Sequence, residues 1–206
     1  MVTLLTGLVL ALRGYPGDFD WQYTVVSALA SQKHNPAGGV WYSAGLGVAM
    51  LWLWPYLGRL RSGRANGVAI LESVALKAMR AGIVFGVLMG LESILVPELP
   101  EVLEKLHELL ALSCFLCFYI GVLCVSVNRM QSEKRFVFPV ALIVIPIIAI
   151  GVSQLTLYLG QRDLGWVDQS WRELGVPLWQ SFAFWQWLAL FFLWGALGML
   201  GFLNRK

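Results

Sequence analysis

The sequence predicts an all-α fold, a polytopic membrane protein in which six transmembrane helices form a single domain over residues 1–206. Composition is the first observation: 58% of the residues are hydrophobic and 13% are charged, whereas roughly 25% are charged in ordinary globular chains. The mean hydropathy of +0.70 agrees with this. Such values exclude a disordered chain, a soluble enzyme and a nucleic-acid-binding module, so we expect no nucleic-acid partner.

The lengths of the apolar stretches give the number of helices. A helix that crosses a bilayer needs about 20 mainly apolar residues. Five stretches meet this requirement, at 40–56, 78–96, 106–127, 136–159 and 182–203. The first stretch, residues 1–12, rises about 18 Å at 1.5 Å per residue, which is less than the bilayer core of about 30 Å. We include it as a short or tilted first helix, which makes six.

The distribution of basic residues predicts the orientation. Ten Lys and Arg residues lie in the links after the second and fourth spans, at the adjoining span ends and in the tail, and five lie on the opposite side. Because cytoplasmic loops collect Lys and Arg, both termini are predicted to be cytoplasmic in a multi-pass protein of the plasma (inner) membrane. Both histidines and most carboxylates then lie on the extracytoplasmic side.

Glycines and tryptophans indicate how the helices pack. Small residues on one helix face allow close approach of a neighbouring helix in a membrane. Two such faces are predicted, on the third span at Gly82, Gly86 and Gly90 and on the sixth at Gly195, Gly198 and Gly201. Tryptophans near span ends, including Trp187, indicate an aromatic belt at the membrane surface. The cysteines, with Cys114 and Cys117 in a Cys-x-x-Cys pair, are interpreted as buried structural thiols.

The first outer segment, residues 15–39, supplies four candidate site residues. Ser27 and Asn35 are candidate substrate-binding residues. Asp20 and His34 are candidate metal ligands together with His107, because first-row metals accept mixed imidazole and carboxylate ligands. One divalent metal ion is therefore the expected cofactor, and the alternative for His34 is a solvated loop histidine.

The second outer segment contains the strongest candidates for catalysis. Glu92 lies inside the third span, where ionisable residues are costly and usually functional. His107 opens the fourth span, at a similar depth below the short turn that joins the two helices. We predict that Glu92 and His107 share a pocket, in which His107 is a general base or a metal ligand and Glu92 or Glu108 orients it. The alternative pairs Glu92 with Arg162 as a structural contact.

The third outer segment, residues 160–180, mixes charged and aromatic side chains. Arg162 and Trp166 are candidate substrate-binding residues in this segment. An arginine beside aromatic rings at the depth of lipid headgroups can hold a phosphate, so we predict a contact with an anionic headgroup. The alternative is that these side chains anchor a short helix at the membrane surface.

Several short motifs occur in an order that resembles a known family. They are Val26-Ser27-Ala28-Leu29, Asn35-Pro36-x-Gly38, Leu95-Val96-Pro97-Glu98 and Leu106-His107-x-x-x-Ala111-x-x-x-Phe115. In this pattern the chain resembles the six-helix membrane family called domain of unknown function 998, which is similar to DRAM-type and GPI-remodelling membrane proteins. The resemblance implies a six-helix fold, polar residues on the outer face and work on lipids, without an established reaction.

Two functional hypotheses follow from the sequence. In the first, an extracytoplasmic polar site binds or acts on lipid headgroups, in its sharpest form as a hydrolase or transferase. In the second, the chain is a non-enzymatic lipid-binding or assembly subunit of a membrane complex. The expected partners are membrane lipids and, under the second hypothesis, another membrane protein.

Overall fold

The computed structural model describes residues 2–60, 68–96, 101–160, 172–173 and 175–203, except for the side chains of residues 101–105. Within these ranges the chain forms helices and turns and no strand, which confirms the all-α class. The helices are α1 (Val2–Arg13), α2 (Val26–Ala30), α3 (Gly39–Leu60), α4 (Ala69–Leu95), α5 (Glu101–Ser132), α6 (Val137–Gly160) and α7 (Phe182–Leu203).

Four of the described helical regions are long and apolar enough to cross a membrane. They are Ala69–Leu95, Leu106–Ser132, Lys134–Gly160 and Phe182–Phe202. Helix α1 has only 12 residues, and the 22 residues of α3 include tryptophan, tyrosine, proline and glycine, which lower its hydropathy. The helices therefore fit an integral membrane protein, whereas the six-span count and the cytoplasmic termini stay predictions.

Helix α4 packs between α3 and α5 through its glycine face. A side chain added at Gly82 would meet the Phe118 ring of α5 at 3.0 Å, and one added at Gly90 would meet the Ser43 carbonyl oxygen of α3 at 3.0 Å. The predicted packing face of the third span is thus confirmed. The face predicted on the last span is wrong at Gly195 and Gly198, where the structure places no atom within 4 Å of an added Cβ.

One tryptophan assigned to the aromatic belt lies in the core instead. Trp187 is only 4% exposed, and its indole N–H donates to the Thr24 carbonyl oxygen at 3.0 Å. It contacts the Phe19 ring edge-on. Trp41, Trp52 and Trp179 are exposed, as a belt requires. A tryptophan near a span end can therefore fasten a loop to the bundle rather than face lipid.

Asn35 fixes the start of the bundle by joining three elements. Its side-chain amide donates to the Ala11 carbonyl oxygen of α1 at 3.0 Å and to the Leu29 carbonyl oxygen of α2 at 3.2 Å. Its side-chain oxygen accepts the Gly38 N–H at 3.0 Å, just before α3. Because Asn35 is fully buried and its donors and acceptor are all used, it holds α2 in place against α1 and α3.

Helix α2 marks one end of the bundle. Helices α3, α5 and α7 begin at this end and α4 finishes there, as shown by the contacts of Gly39 with Ala30 and of Gln186 with Val26. We call it the α2 end. The polar residues predicted for the site are concentrated here, whereas the inner parts of the helices are almost wholly apolar.

The contact between α1 and α3 allows a stability prediction. A Cβ at Gly45 would lie 2.8 Å from the Thr3 carbonyl oxygen and 3.0 Å from the Gly7 Cα, and backbone atoms cannot move aside as side chains do. We expect Gly45→Leu to destabilise the protein by about 1–3 kcal/mol, the usual result of overpacking. Thermal unfolding in detergent measures this. Gly58→Leu, in an open position of the same helix, is the control and should not lower the melting temperature.

Candidate functional site

Glu92 and His107 form the polar centre at the α2 end. The His107 Nδ1 and the Glu92 Oε2 are 2.8 Å apart, which confirms the predicted proximity of the two residues. They meet because α4 and α5 are antiparallel neighbours with only five residues between them in the sequence, and each of the two residues is near the adjoining helix end. The His107 side chain is 19% exposed and the Glu92 side chain 10%. The contact therefore lies in a largely water-free environment, which strengthens it.

The contact also determines which imidazole nitrogen is available. When Glu92 is ionised it only accepts hydrogen bonds, so His107 Nδ1 is then the donor in this contact, and Nε2 of a ring that carries one proton is left as an acceptor. Glu92 is thus the group that orients His107, in the arrangement that serves a general base. Glu108, the alternative that was predicted to orient His107, is exposed, and its carboxylate forms no ion pair with the imidazole among the described residues.

The second carboxylate oxygen of Glu92 is an unusual feature. Oε1 is buried and has no hydrogen-bond partner among the described residues. Buried polar atoms are nearly always paired, because leaving one unpaired costs about 1–3 kcal/mol. The atom is therefore placed to accept a hydrogen bond from a group outside the described protein residues, such as a bound water molecule or a donor on a ligand.

A long cavity extends from His107 into the bundle. The space inside it that water-sized molecules can occupy is about 70 Å³, several times the roughly 10–15 Å³ that a single water molecule requires. The lining runs from residue 42 to 53 on α3, from 107 to 118 on α5 and from 186 to 197 on α7. Each stretch rises by roughly 16 Å at the α-helical rise per residue.

The polar groups of the cavity lie together at its α2 end. They are Ser27, Tyr42, His107 and Gln186. Most of the remaining lining is apolar, with leucine, methionine and aromatic side chains from several helices. The cavity therefore has a polar end and an apolar shaft, which matches the division of a lipid into a polar group and a hydrocarbon chain.

Gln186 has a fixed orientation at the polar end. Its side-chain oxygen accepts the Val26 backbone N–H at 2.7 Å. The amide nitrogen consequently points away from that bond, and it donates to no described residue. A substrate oxygen in the cavity is a suitable acceptor for this amide N–H group.

The three predicted metal ligands are not brought together. No group of three histidine, cysteine, aspartate or glutamate side chains that could hold an ion occurs in the described ranges. Asp20 instead forms an ion pair with Arg172, with Oδ2 and Nε 3.0 Å apart. His34 lies in the turn before α3, whereas His107 lies on α5. His107 has Glu92 as its partner, and a divalent metal ion stays a prediction.

Of the predicted substrate-binding residues, Ser27 is the one that the structure places in the cavity lining. Asn35 has a structural role instead, because all of its polar atoms bind the backbone of its neighbours. Arg162 and Trp166 lie outside the described residues. Glu92 pairs with His107, and the alternative partner, Arg162, lies outside the described residues.

Two residues of the polar end, Tyr42 and Gln186, are not among the site residues predicted from the sequence. A signal for Gln186 was present, since it is the single amide or charged side chain within α7, and polar residues in spans usually bond to another part of the protein or to a ligand. Tyr42 carried no comparable signal, because tyrosines near a span end are common in aromatic belts.

Comparison of the chain with protein families, with curated proteins and with solved structures finds no match. The resemblance to the domain of unknown function 998 family therefore stays a prediction.

Proposed function

We propose that this chain binds a membrane lipid with its hydrocarbon chain in the cavity and carries out acid–base chemistry on the polar part of that lipid, as a hydrolase or transferase. The observation that carries the proposal is the position of His107. The buried Glu92 holds the imidazole, with Glu92 Oε2 2.8 Å from His107 Nδ1. The His107 ring lines the polar end of an otherwise apolar cavity.

The apolar shaft supports a lipid as the ligand. The lining residues extend over roughly 16 Å on each of three helices, a distance along which an extended hydrocarbon chain can lie. Each methylene transferred from water to such a lining gains about 0.8 kcal/mol. A lipid already in a bilayer gains less, so shape and the polar contacts at His107 and Gln186 have to provide the selectivity.

The arrangement of Glu92 and His107 supports chemistry beyond binding. A histidine that serves only as a packing residue needs no buried carboxylate behind it, and a buried carboxylate is costly unless it is well paired. Here one carboxylate oxygen holds the imidazole and the other remains unpaired by described residues. An imidazole held in this way can take a proton from a water molecule or a hydroxyl group and return it to a leaving group.

The orientation in the membrane belongs to the proposal. We propose that α1 and α3 join the four long apolar helices to make six spans, with both termini in the cytoplasm of a plasma (inner) membrane protein. The asymmetry of the basic residues supports this orientation. The α2 end, with His107 and Glu92, is then extracytoplasmic.

Measurements on the purified chain in lipid nanodiscs test the proposal. Native mass spectrometry should show one lipid retained per chain, and chromatography of a mixed lipid extract should show products that increase with protein concentration. Protein-free nanodiscs are the control. Retained lipid without any product would favour the lipid-binding or assembly subunit, and the absence of both would contradict the lipid site altogether.

A further inference from the structure

Ser27 is the polar residue among the three of α2 that line the cavity, the other two being Val26 and Ala30. The other four residues of this helix, Val26, Ala28, Leu29 and Ala30, are buried. Ser27 is partly exposed and lies in the cavity lining, and its hydroxyl group forms no hydrogen bond with a described residue. A serine that only stabilises a short helix would be expected to bond to the nearby backbone, and the Ser27 hydroxyl does not.

The backbone around Ser27 is held from several sides. The Val26 N–H donates to Gln186, the Leu29 carbonyl oxygen accepts from Asn35, and the Ser43 hydroxyl donates to the Ala30 carbonyl oxygen at 3.4 Å. These bonds tie α2 to α7 and α3. They keep the serine at the polar end of the cavity, on rigid elements, as a reacting group requires.

The polar end thereby contains the three kinds of group that acyl transfer requires. Ser27 has an available hydroxyl group, His107 has an available Nε2 and a carboxylate behind it, and Gln186 has an available amide N–H group. A nucleophile, a base with an orienting acid and a donor toward a developing oxyanion are the recurring parts of such sites. All three residues face the same cavity as the apolar shaft.

We propose that the substrate is a long-chain carboxylic ester and that Ser27 takes up its acyl group. This inference rests on the proposed lipid function and deepens it, because it names the bond that breaks. The acyl chain occupies the shaft, and the ester carbonyl lies at the polar end, within reach of the Gln186 amide. The small volume of the cavity, about 70 Å³, favours a single acyl chain over a pair.

The reaction proceeds in two balanced steps. The Ser27 hydroxyl oxygen attacks the ester carbonyl carbon while His107 Nε2 takes the hydroxyl proton, and the tetrahedral intermediate then expels the alcohol, which receives that proton from His107. A water molecule, or a second alcohol in a transferase, then gives its proton to His107 and attacks the acyl-serine. Ser27 recovers its proton as the carboxylic acid or the new ester leaves.

A covalent probe tests the role of Ser27. The purified chain in nanodiscs is treated with a long-chain alkyl fluorophosphonate, and the intact mass and the modified peptide are determined. We expect one adduct per chain, located on Ser27, and no adduct in Ser27→Ala. Ser31→Ala is the matched control, because Ser31 directly follows α2 and does not line the cavity, and it should be labelled as the unchanged chain is.

The turnover of long-chain esters separates this inference from the proposed function. Ser27→Ala should lower turnover at least about 10³-fold with an unchanged melting temperature, since the lost hydroxyl group bonds to no described residue. If Ser27→Ala keeps its turnover while His107→Gln loses it, the nucleophile is water and the inference fails, but the proposed function stands. Labelling of another residue would also overturn the inference. If the unchanged chain neither retains lipid nor turns it over, the proposed function fails.

Discussion

Replacing His107 by glutamine is expected to lower lipid turnover by about 10²–10⁴-fold, the usual contribution of a positioned acid–base group. Glutamine has a similar size and hydrogen-bonding capacity, but it cannot take up a proton near neutral pH. Its amide can still donate to Glu92, so the buried carboxylate keeps a partner and the fold is preserved. Turnover of nanodisc lipids by the purified variant, followed by mass spectrometry of the products, is the measurement.

The neighbouring carboxylate provides the matched control for His107→Gln. Glu108 is exposed on the same helix and does not contact the imidazole, so Glu108→Gln should keep turnover within about twofold of the unchanged chain. Lipid retention in His107→Gln should stay unchanged, because the apolar shaft is intact. If His107→Gln turned over lipid as fast as Glu108→Gln, acid–base chemistry at His107 would be contradicted.

The pairing of Glu92 with His107 was predictable from the sequence because local geometry determines it. Only five residues separate α4 from α5 in the sequence, which makes the two helices antiparallel neighbours, and Glu92 and His107 lie a few residues from the adjoining helix ends. Periodicity alone left open whether their faces agreed. That agreement depends on how Gly82 lets Phe118 of α5 approach α4, and such a contact can be read only from the packed helices.

The cavity could not be predicted in the same way. Its polar end combines Ser27, Tyr42 and Gln186 with His107, and these lie on four different elements. No spacing rule within one helix relates such positions, because their proximity depends on long-range bonds such as that of Val26 with Gln186, 160 positions apart in the chain. The shaft itself exists because small residues such as Ala30 and Ala111 face it.

The positions of the helices agree with the apolar pattern of the sequence more closely than the packing faces of the helices do. Helices occur at all six predicted spans, since length and hydropathy depend only on the local sequence. The packing face on α7 was wrong because spacing shows that small residues share a face and does not show what covers that face. Gly195 and Gly198 lie on the exposed side of α7, whereas Ala196 and Leu197 are buried.

Filling the apolar shaft is expected to lower the fraction of chains that retain lipid, while the contact of Glu92 with His107 remains. Ala111 lies one turn below His107 on α5 and lines the cavity, so Ala111→Phe places a ring across the entrance to the shaft. Loss of the burial of three methylenes costs at most about 0.8 kcal/mol each, the value for transfer from water, so retention should decrease by up to about 50-fold. Native mass spectrometry in nanodiscs gives the retained fraction, and turnover should decrease in parallel.

Leu112, the next residue, provides the control for Ala111→Phe, because a phenylalanine there adds a similar ring on the exposed side of α5. Leu112 is 51% exposed on the outside of α5, and Leu112→Phe should leave both retention and turnover unchanged. Melting temperatures of the two variants show whether the fold is preserved in each. If a folded Ala111→Phe retained lipid as the Leu112→Phe chain does, the hydrocarbon chain would have to bind elsewhere. His107 and Glu92 would then act on a ligand that does not use the shaft, and the match between one acyl chain and this cavity would be wrong.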